Sequence, residues 1–312
     1  MSLSKLADRA FDDRPDNPVA TTLALLVLHD GDVVFERYAP GHDEASTFIS
    51  WSMAKSVTSA YCGVLVDAGR IDIEAPAAVP EWQAPDDLRS AITLRQLLEM
   101  RSGLQWNEDY VDGQVSNVIE MLFGSGQADT AAYAASMPLA HAPGEHWYYS
   151  SGTTNIISRL LGETAGGRNA MERGLINDLF IPAGMATAVP KFDGAGTFVG
   201  SSFVYATAGD YAAFGELYRN GGVANGHRVV SEQWCTLSTT EQAVDPETGQ
   251  GYGLQWWTAR DEFGSYSCNG YEGQRIQVVP ELGLTFVRLG KTDAEFSPDL
   301  RAFYREITEC FV

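Results

Sequence analysis

Lysine is scarce in this chain: only Lys5, Lys55, Lys191 and Lys291 occur among 21 basic residues, which face 41 acidic ones for a formal charge of −20. A surface of that sign repels phosphate backbones and anionic bilayers, so neither nucleic acid nor a membrane is expected as a partner. Cysteine is as sparse, with Cys62, Cys235, Cys268 and Cys310 far apart, no C-x-x-C pair and no histidine at ligand spacing. Reduced, buried thiols are expected rather than a disulfide frame or a zinc site. No apolar run nears the roughly 20 residues that span a bilayer. Even Thr22 to Leu28 is cut off by His29-Asp30-Gly31-Asp32. Met1 to Asp16 mixes Lys5, Asp8, Arg9, Asp12, Asp13 and Arg14 with scattered apolar residues and shows no uninterrupted h-region, so a soluble, cytoplasmic protein is expected.

Several motifs are missing as well. There is no G-x-S-x-G elbow, no G-x-x-x-x-G-K-[ST] loop, no G-x-G-x-x-G and no H-E-x-x-H. The five histidines, His29, His42, His141, His146 and His227, are scattered, and a Ser-His-Asp triad has no obvious base.

What is present is enough apolar material for a large core: 312 residues at 45% hydrophobic content suit one big domain or two interleaved ones. Leu23 to His29 and Val33 to Tyr38 are β-prone runs joined by Asp30-Gly31-Asp32, a hairpin signal. A helix is expected from Ser52 to Ala68, with Val57, Tyr61, Val64 and Leu65 at helical spacing and Gly69 at its end. Short helices follow at Thr93 to Met100, Val115 to Phe123, Thr130 to Ser136, Gly152 to Leu161 and Ala206 to Tyr218, most of them closed by glycine. Strands return at Gly253 to Thr258, Gln274 to Val279 and Leu284 to Leu289, before a terminal helix from Pro298 to Cys310. Strands at both ends with helices between predict an α+β fold. Residues 1–50 and 235–312 would form the sheet domain and 51–234 a mainly helical one, with a cleft at the junction.

Three segments carry chemistry. In Ser52-Met53-Ala54-Lys55 the i, i+3 spacing puts a hydroxyl and an ammonium side by side. A serine attacks only once a base takes its proton, and desolvation can lower a lysine far enough to serve. The same four residues also read as a capping serine and a lysine reaching to solvent, and Ser2-Leu3-Ser4-Lys5 repeats the spacing with no sign of a site. In Pro143-Gly144-Glu145-His146-Trp147-Tyr148-Tyr149-Ser150-Ser151, a turn leads through aromatics into a helix. Tyr149 beside a lysine ammonium would be stabilised as phenolate and pass protons; by itself it reads as a packing aromatic with a hydrogen-bonded hydroxyl. In Asn269-Gly270-Tyr271-Glu272-Gly273-Gln274, glycines before a strand permit close approach to the backbone, as in any glycine turn, and an edge N–H there can face an oxyanion.

In this order, and with Ile49 to Ser56, Ile92 to Leu104, Pro143 to Ser151 and Tyr271 to Gln274 as blocks, the chain resembles the serine β-lactamase and penicillin-binding protein superfamily. Within it, the likeness is to class C β-lactamases and the related esterases and nylon-oligomer hydrolases. The resemblance implies the β-lactamase/transpeptidase-like fold, Ser52 as nucleophile, Lys55 and Tyr149 as proton carriers, and an oxyanion hole from the backbone N–H groups of Ser52 and Gln274. It implies no metal or organic cofactor. Ser151 stands where many relatives carry asparagine, and Tyr271-Glu272-Gly273 where relatives that bind β-lactams present Lys-Thr-Gly. The missing cation, with the absent export signal, points away from antibiotic hydrolysis and towards a small-molecule ester or open-chain amide. Tyr110 is expected to match a substrate-contacting loop tyrosine of the nylon-oligomer hydrolases, and Glu272 to favour an amine-bearing substrate. An acyltransferase using the same acyl-serine, a true β-lactamase and a non-catalytic acyl- or peptide-binding homologue are the competing readings.

Overall fold

Asp30 and Gly31 both adopt positive φ, 51° and 88°, which gives the turn the twist that matches paired strands. In the computed structural model, which describes residues 2–12, 14, 17, 19, 21–109 and 115–312, this turn joins the antiparallel strands Thr22–His29 and Asp32–Tyr38. The first strand pairs on its other side with Leu284–Gly290, so the two ends of the chain meet in one sheet. From edge to edge its eight strands are Asp32–Tyr38, Thr22–His29, Leu284–Gly290, Gln274–Val279, Tyr266–Gly270, Trp257–Thr258, Gly251–Tyr252 and Ala243–Val244. Every pairing is antiparallel, as an α+β fold requires.

Strand alternation divides the core in two. Ala24, Leu26 and Leu28 face a cluster shared with Val57, Phe214, Trp256 and Ile276. Leu25 and Val27 face a second cluster with Phe286, Phe303 and Ile307, closed by the helices Leu3–Ala10 and Ser297–Glu309. The first of these helices was not expected: Lys5, Asp8 and Arg9, among the charges that exclude an h-region, belong to an amphipathic helix whose Leu6, Ala7 and Ala10 are buried. Helix Ala208–Arg219, although it lies within 51–234 of the sequence, packs on the sheet through Phe214 and through Gly215, where an added Cβ would lie 2.7 Å from Thr285.

Other differences have local causes. Gly253 to Thr258 is not one strand: Gly253 N–H bonds Trp256 O, Gln255 turns at φ 63°, and the segment becomes a tight hairpin between Gly251–Tyr252 and Trp257–Thr258. Tyr266–Gly270 forms a strand without an apolar run, since Ser267 and Asn269, which alternate with Tyr266 and Cys268, are polar. The central region also holds a small sheet of Phe48–Ile49, Val204–Ala206 and Val189–Pro190, and a helical run over 168–183 with a π turn at Leu175–Phe180. No helix among the described residues is long and apolar enough to cross a membrane. None of the four cysteines is in a disulfide, and three of them are buried.

Candidate active site

Ser52 does not cap a helix. It lies in a single 3-10 turn, Trp51–Met53, that runs into the helix Ala54–Asp67 with no side-chain cap. Trp51 before it sits at φ 44°, a strained conformation for a large side chain, and packs against Phe203 and Tyr271 at 6.0 and 5.8 Å. Ser50 pins the turn from below: its hydroxyl accepts from Val204 N–H and contacts Ser202 O, and its own N–H donates to Val204 O. The helix that follows is buried nearly all round, so Lys55, one residue into it, is 1% exposed and cannot reach solvent.

The Lys55 Nζ donates to Ser52 Oγ at 2.9 Å, to Ser151 Oγ at 2.9 Å and to the Ser201 carbonyl at 3.0 Å. Three acceptors match the three protons of an ammonium. Desolvation still brings its pKa down from 10.5 to about 8, against the opposing charge of Glu108. Tyr149 lies with its ring 4.8 Å from Nζ and lines the same cleft as Ser52. Desolvation, and then the Glu108 charge, push its phenol far above the ordinary value. This reverses the sequence expectation of a phenolate: burial costs the anion more than the nearby ammonium returns, and the amine becomes the group ready to lose a proton.

Ser151 opens the helix Ser151–Ala165, capped by Ser150 through Thr153 N–H. Its hydroxyl accepts from Lys55. Behind it is Glu108, which no motif in the sequence marks. Glu108 accepts from Ser151 Oγ at 2.5 Å, from Ser151 N–H at 2.8 Å and from Trp106 Nε1 at 2.6 Å. Nothing in its spacing signals this, because its partner lies 43 residues on. Tyr110 lies outside the described residues.

The cleft over Ser52, about 200 Å³, is lined by Ser52, Glu108, Tyr149, Trp257, Asn269, Gly270 and Tyr271. Trp257, which stacks on Tyr149 at 5.5 Å, was not foreseen. Strand Tyr266–Gly270 can reach the nucleophile turn because Gly270 has no side chain: a Cβ there would come within 2.5 Å of Ser50 O. The turn after it corrects one assignment. The Gln274 backbone N–H bonds Tyr271 O, and its buried amide bridges Tyr271 O and the Gly290 backbone, so its donor is spent inside the turn and does not line the cleft. Tyr271 lines the cleft instead, 41% exposed. Glu272 and Gly273 border a neighbouring cavity of about 480 Å³ that shares Asn269, Gly270 and Tyr271 with it. Arg288, 0% exposed and with no carboxylate partner among the described residues, holds the turn from beneath by donating to Glu272 O and Gly273 O.

A family model described as Beta-lactamase matches residues 7–308. Among curated proteins, the chain is 27% identical to a 6-aminohexanoate-dimer hydrolase of Paenarthrobacter ureafaciens, over 97% of this chain and 80% of that one. Among solved structures, a putative 6-aminohexanoate-dimer hydrolase from Bacillus anthracis superposes with a TM-score of 0.82 at 21% identity, covering 99% of this chain and 82% of that one. A family VIII carboxylesterase follows the same fold with a TM-score of 0.72 at 15% identity, covering 97% and 96%. With nearly its whole length matched, and with a serine, lysine and tyrosine converging on one cleft, the chain belongs to the β-lactamase family.

Proposed function

We propose that this protein is a serine hydrolase that cleaves a neutral or amine-bearing ester or open-chain amide through an acyl-Ser52 intermediate. The observation that carries it is the Lys55 amine, buried and lowered to about 8, at 2.9 Å from the hydroxyl of a partly exposed serine that opens onto a cleft. The same separation serves the reverse bond, with Ser52 O–H donating to a neutral amine. Neutral Lys55 takes that proton as Ser52 Oγ attacks the substrate carbonyl carbon, and the π pair moves to the carbonyl oxygen. The resulting oxyanion faces the backbone of the nucleophile turn and of Tyr271, which replaces Gln274 as the second position of the hole. As the tetrahedral carbon collapses, the C–O or C–N bond breaks. The leaving atom takes a proton from the Tyr149 phenol, which regains one from the Lys55 ammonium. Water then attacks the acyl carbon, gives its proton back along the same path, and releases Ser52.

Charge in the cleft sets the substrate class. Among the described residues that line it, the charged group is Glu108 and none is arginine, while Lys55 lies buried behind Ser52. A lactam carboxylate would meet a like charge, whereas a neutral chain or an ammonium would not. Similarity to a protein named for a 6-aminohexanoate dimer supports an amide as one such substrate. The test is pre-steady-state kinetics with p-nitrophenyl acetate and butyrate beside an aminohexanoate dimer and a penicillin. A burst with the esters that Ser52→Ala abolishes, and no turnover of penicillin, are expected. Ester turnover that survives Ser52→Ala would overturn the reading.

A further inference from the structure

The Ser151 hydroxyl has one proton, and the structure spends it on Glu108: Oγ lies 2.5 Å from Glu108 Oε1, while Oε2 takes the Ser151 N–H and the Trp106 indole N–H. Towards Lys55, then, Ser151 presents lone pairs only and can accept but not donate. The Ser201 carbonyl, Lys55's other buried partner, likewise can only accept. A neutral amine in this setting has two N–H groups and one lone pair. With the two N–H groups drawn to Ser151 and Ser201, the lone pair is left for the third direction, which is Ser52.

We propose that Glu108 is a positioning residue for Lys55, acting through Ser151: it holds the Ser151 hydroxyl as an acceptor, so that the neutral amine aims its lone pair at Ser52, and it sets a compensating negative charge beside the ammonium. This rests on the reading of Lys55 as the base for acylation at Ser52. Without the carboxylate, the Ser151 hydroxyl is free to turn and donate to the amine, competing with Ser52 for its lone pair. The groups that face Lys55 are few. Among the described residues they are Tyr149, whose ring lies 4.8 Å from Nζ, and Glu108, whose charge opposes the desolvation of the lysine. The neighbouring Tyr252 and Cys268 are buried and pushed upward by desolvation, so they stay neutral where Lys55 titrates. Tyr148 and Tyr149 also feel the Glu108 charge, and both phenols are raised first by burial.

The scarcity of lysine makes the test direct. With four lysines in the chain, 13Cε-lysine NMR resolves the titration of Lys55 from those of Lys5, Lys191 and Lys291. Glu108→Gln keeps an acceptor for the Ser151 hydroxyl and removes the charge. It is expected to move the Lys55 titration down by about 1 pH unit and leave the other three in place. Glu108→Ala removes the acceptor too. Its kcat/KM for p-nitrophenyl acetate is expected to fall about tenfold on the high-pH plateau, where Lys55 is already neutral, and Ser151→Ala added to it should cost little more. An unmoved Lys55 titration in folded Glu108→Gln, or a Glu108→Ala plateau within about twofold of wild type, would overturn the proposal. If Glu108→Ala does not fold, the NMR titration of Glu108→Gln decides by itself. Turnover that survives Ser52→Ala would instead sink the acylation reading, whatever Lys55 does.

Discussion

The Glu108 carboxylate and the Lys55 ammonium share a charge interaction across a single hydroxyl: Ser151 Oγ stands 2.5 Å from one and 2.9 Å from the other. Opposite charges joined this way leave the amine held but not locked in a direct ion pair. A bonded carboxylate would raise a buried lysine and keep its proton in place. One oxygen between them lets desolvation win.

The pH dependence follows in sign. Lys55 must be neutral to act as base, so kcat/KM for an ester is expected to rise with pH through about 8 and to fall as the amine protonates below it. Stability moves the same way. The folded value of about 8 lies below 10.5, so the unfolded chain holds more protons between the two. Burying the ammonium costs about 3 kcal/mol below pH 8, a cost relieved as pH rises. Wild type should therefore gain Tm relative to Lys55→Met between about pH 8 and pH 10, as read by calorimetry on both proteins. A flat difference would contradict a depressed Lys55.

Tyr149→Phe removes the phenol and keeps the ring that stacks on Trp257. The variant is expected to melt within a degree or two of wild type and to lose about 10²- to 10³-fold in kcat/KM, with amides hit harder than activated esters because their leaving group needs the proton more. Equal, small losses for both substrate types would show that the phenol is packing material.

Arg288 is a buried cation whose hydrogen bonds go to Thr22 Oγ1, Glu272 O, Gly273 O and Thr292 Oγ1. Arg288→Met is expected to cost about 2 to 4 kcal/mol by denaturant melts, because two carbonyls of the turn each lose one donor, Glu272 O keeping the Thr292 N–H and Gly273 O the Tyr304 hydroxyl. It should also lower kcat more than it raises KM, since the turn carrying Tyr271 would no longer be held. Unchanged kcat in a destabilised but folded variant would confine Arg288 to the fold.

Gly270→Ala should behave as a wedge between the sheet and the nucleophile turn, since its Cβ would lie 2.5 Å from Ser50 O. Loss of most ester turnover is expected in a protein that keeps its far-UV spectrum. Full activity would mean that the strand can shift without disturbing Ser52.

Much of this was legible in the chain itself, and the exceptions share a cause. The Asp30-Gly31 turn and the Ser52 to Lys55 spacing are local, set by backbone sterics and helical geometry over a few residues. Tyr149 and Ser151 followed from a resemblance in the blocks around them rather than from spacing. Glu108 and Trp257 were invisible as site residues, because the folded sheet and loops bring them to the cleft and no periodicity encodes that. The proposed oxyanion position moved within Asn269-Gly270-Tyr271-Glu272-Gly273-Gln274 because two glycines compete to explain one turn. Gly273, at φ 79°, closes it, while Gly270 serves the close approach to Ser50, and only coordinates separate the two. The phenolate expectation for Tyr149 failed on magnitude: proximity to a cation is readable from sequence, and the desolvation that outweighs it is not.

Mass spectrometry of the intact protein bears most directly on the claim that a hydroxyl at position 52 becomes acylated. After exposure to p-nitrophenyl butyrate and rapid acid quench, the mass should rise by one butyryl group, peptide mapping should place it on Ser52, and Ser52→Ala should show no such rise. A butyryl group found on another residue, or an adduct that persists in Ser52→Ala, would contradict the account.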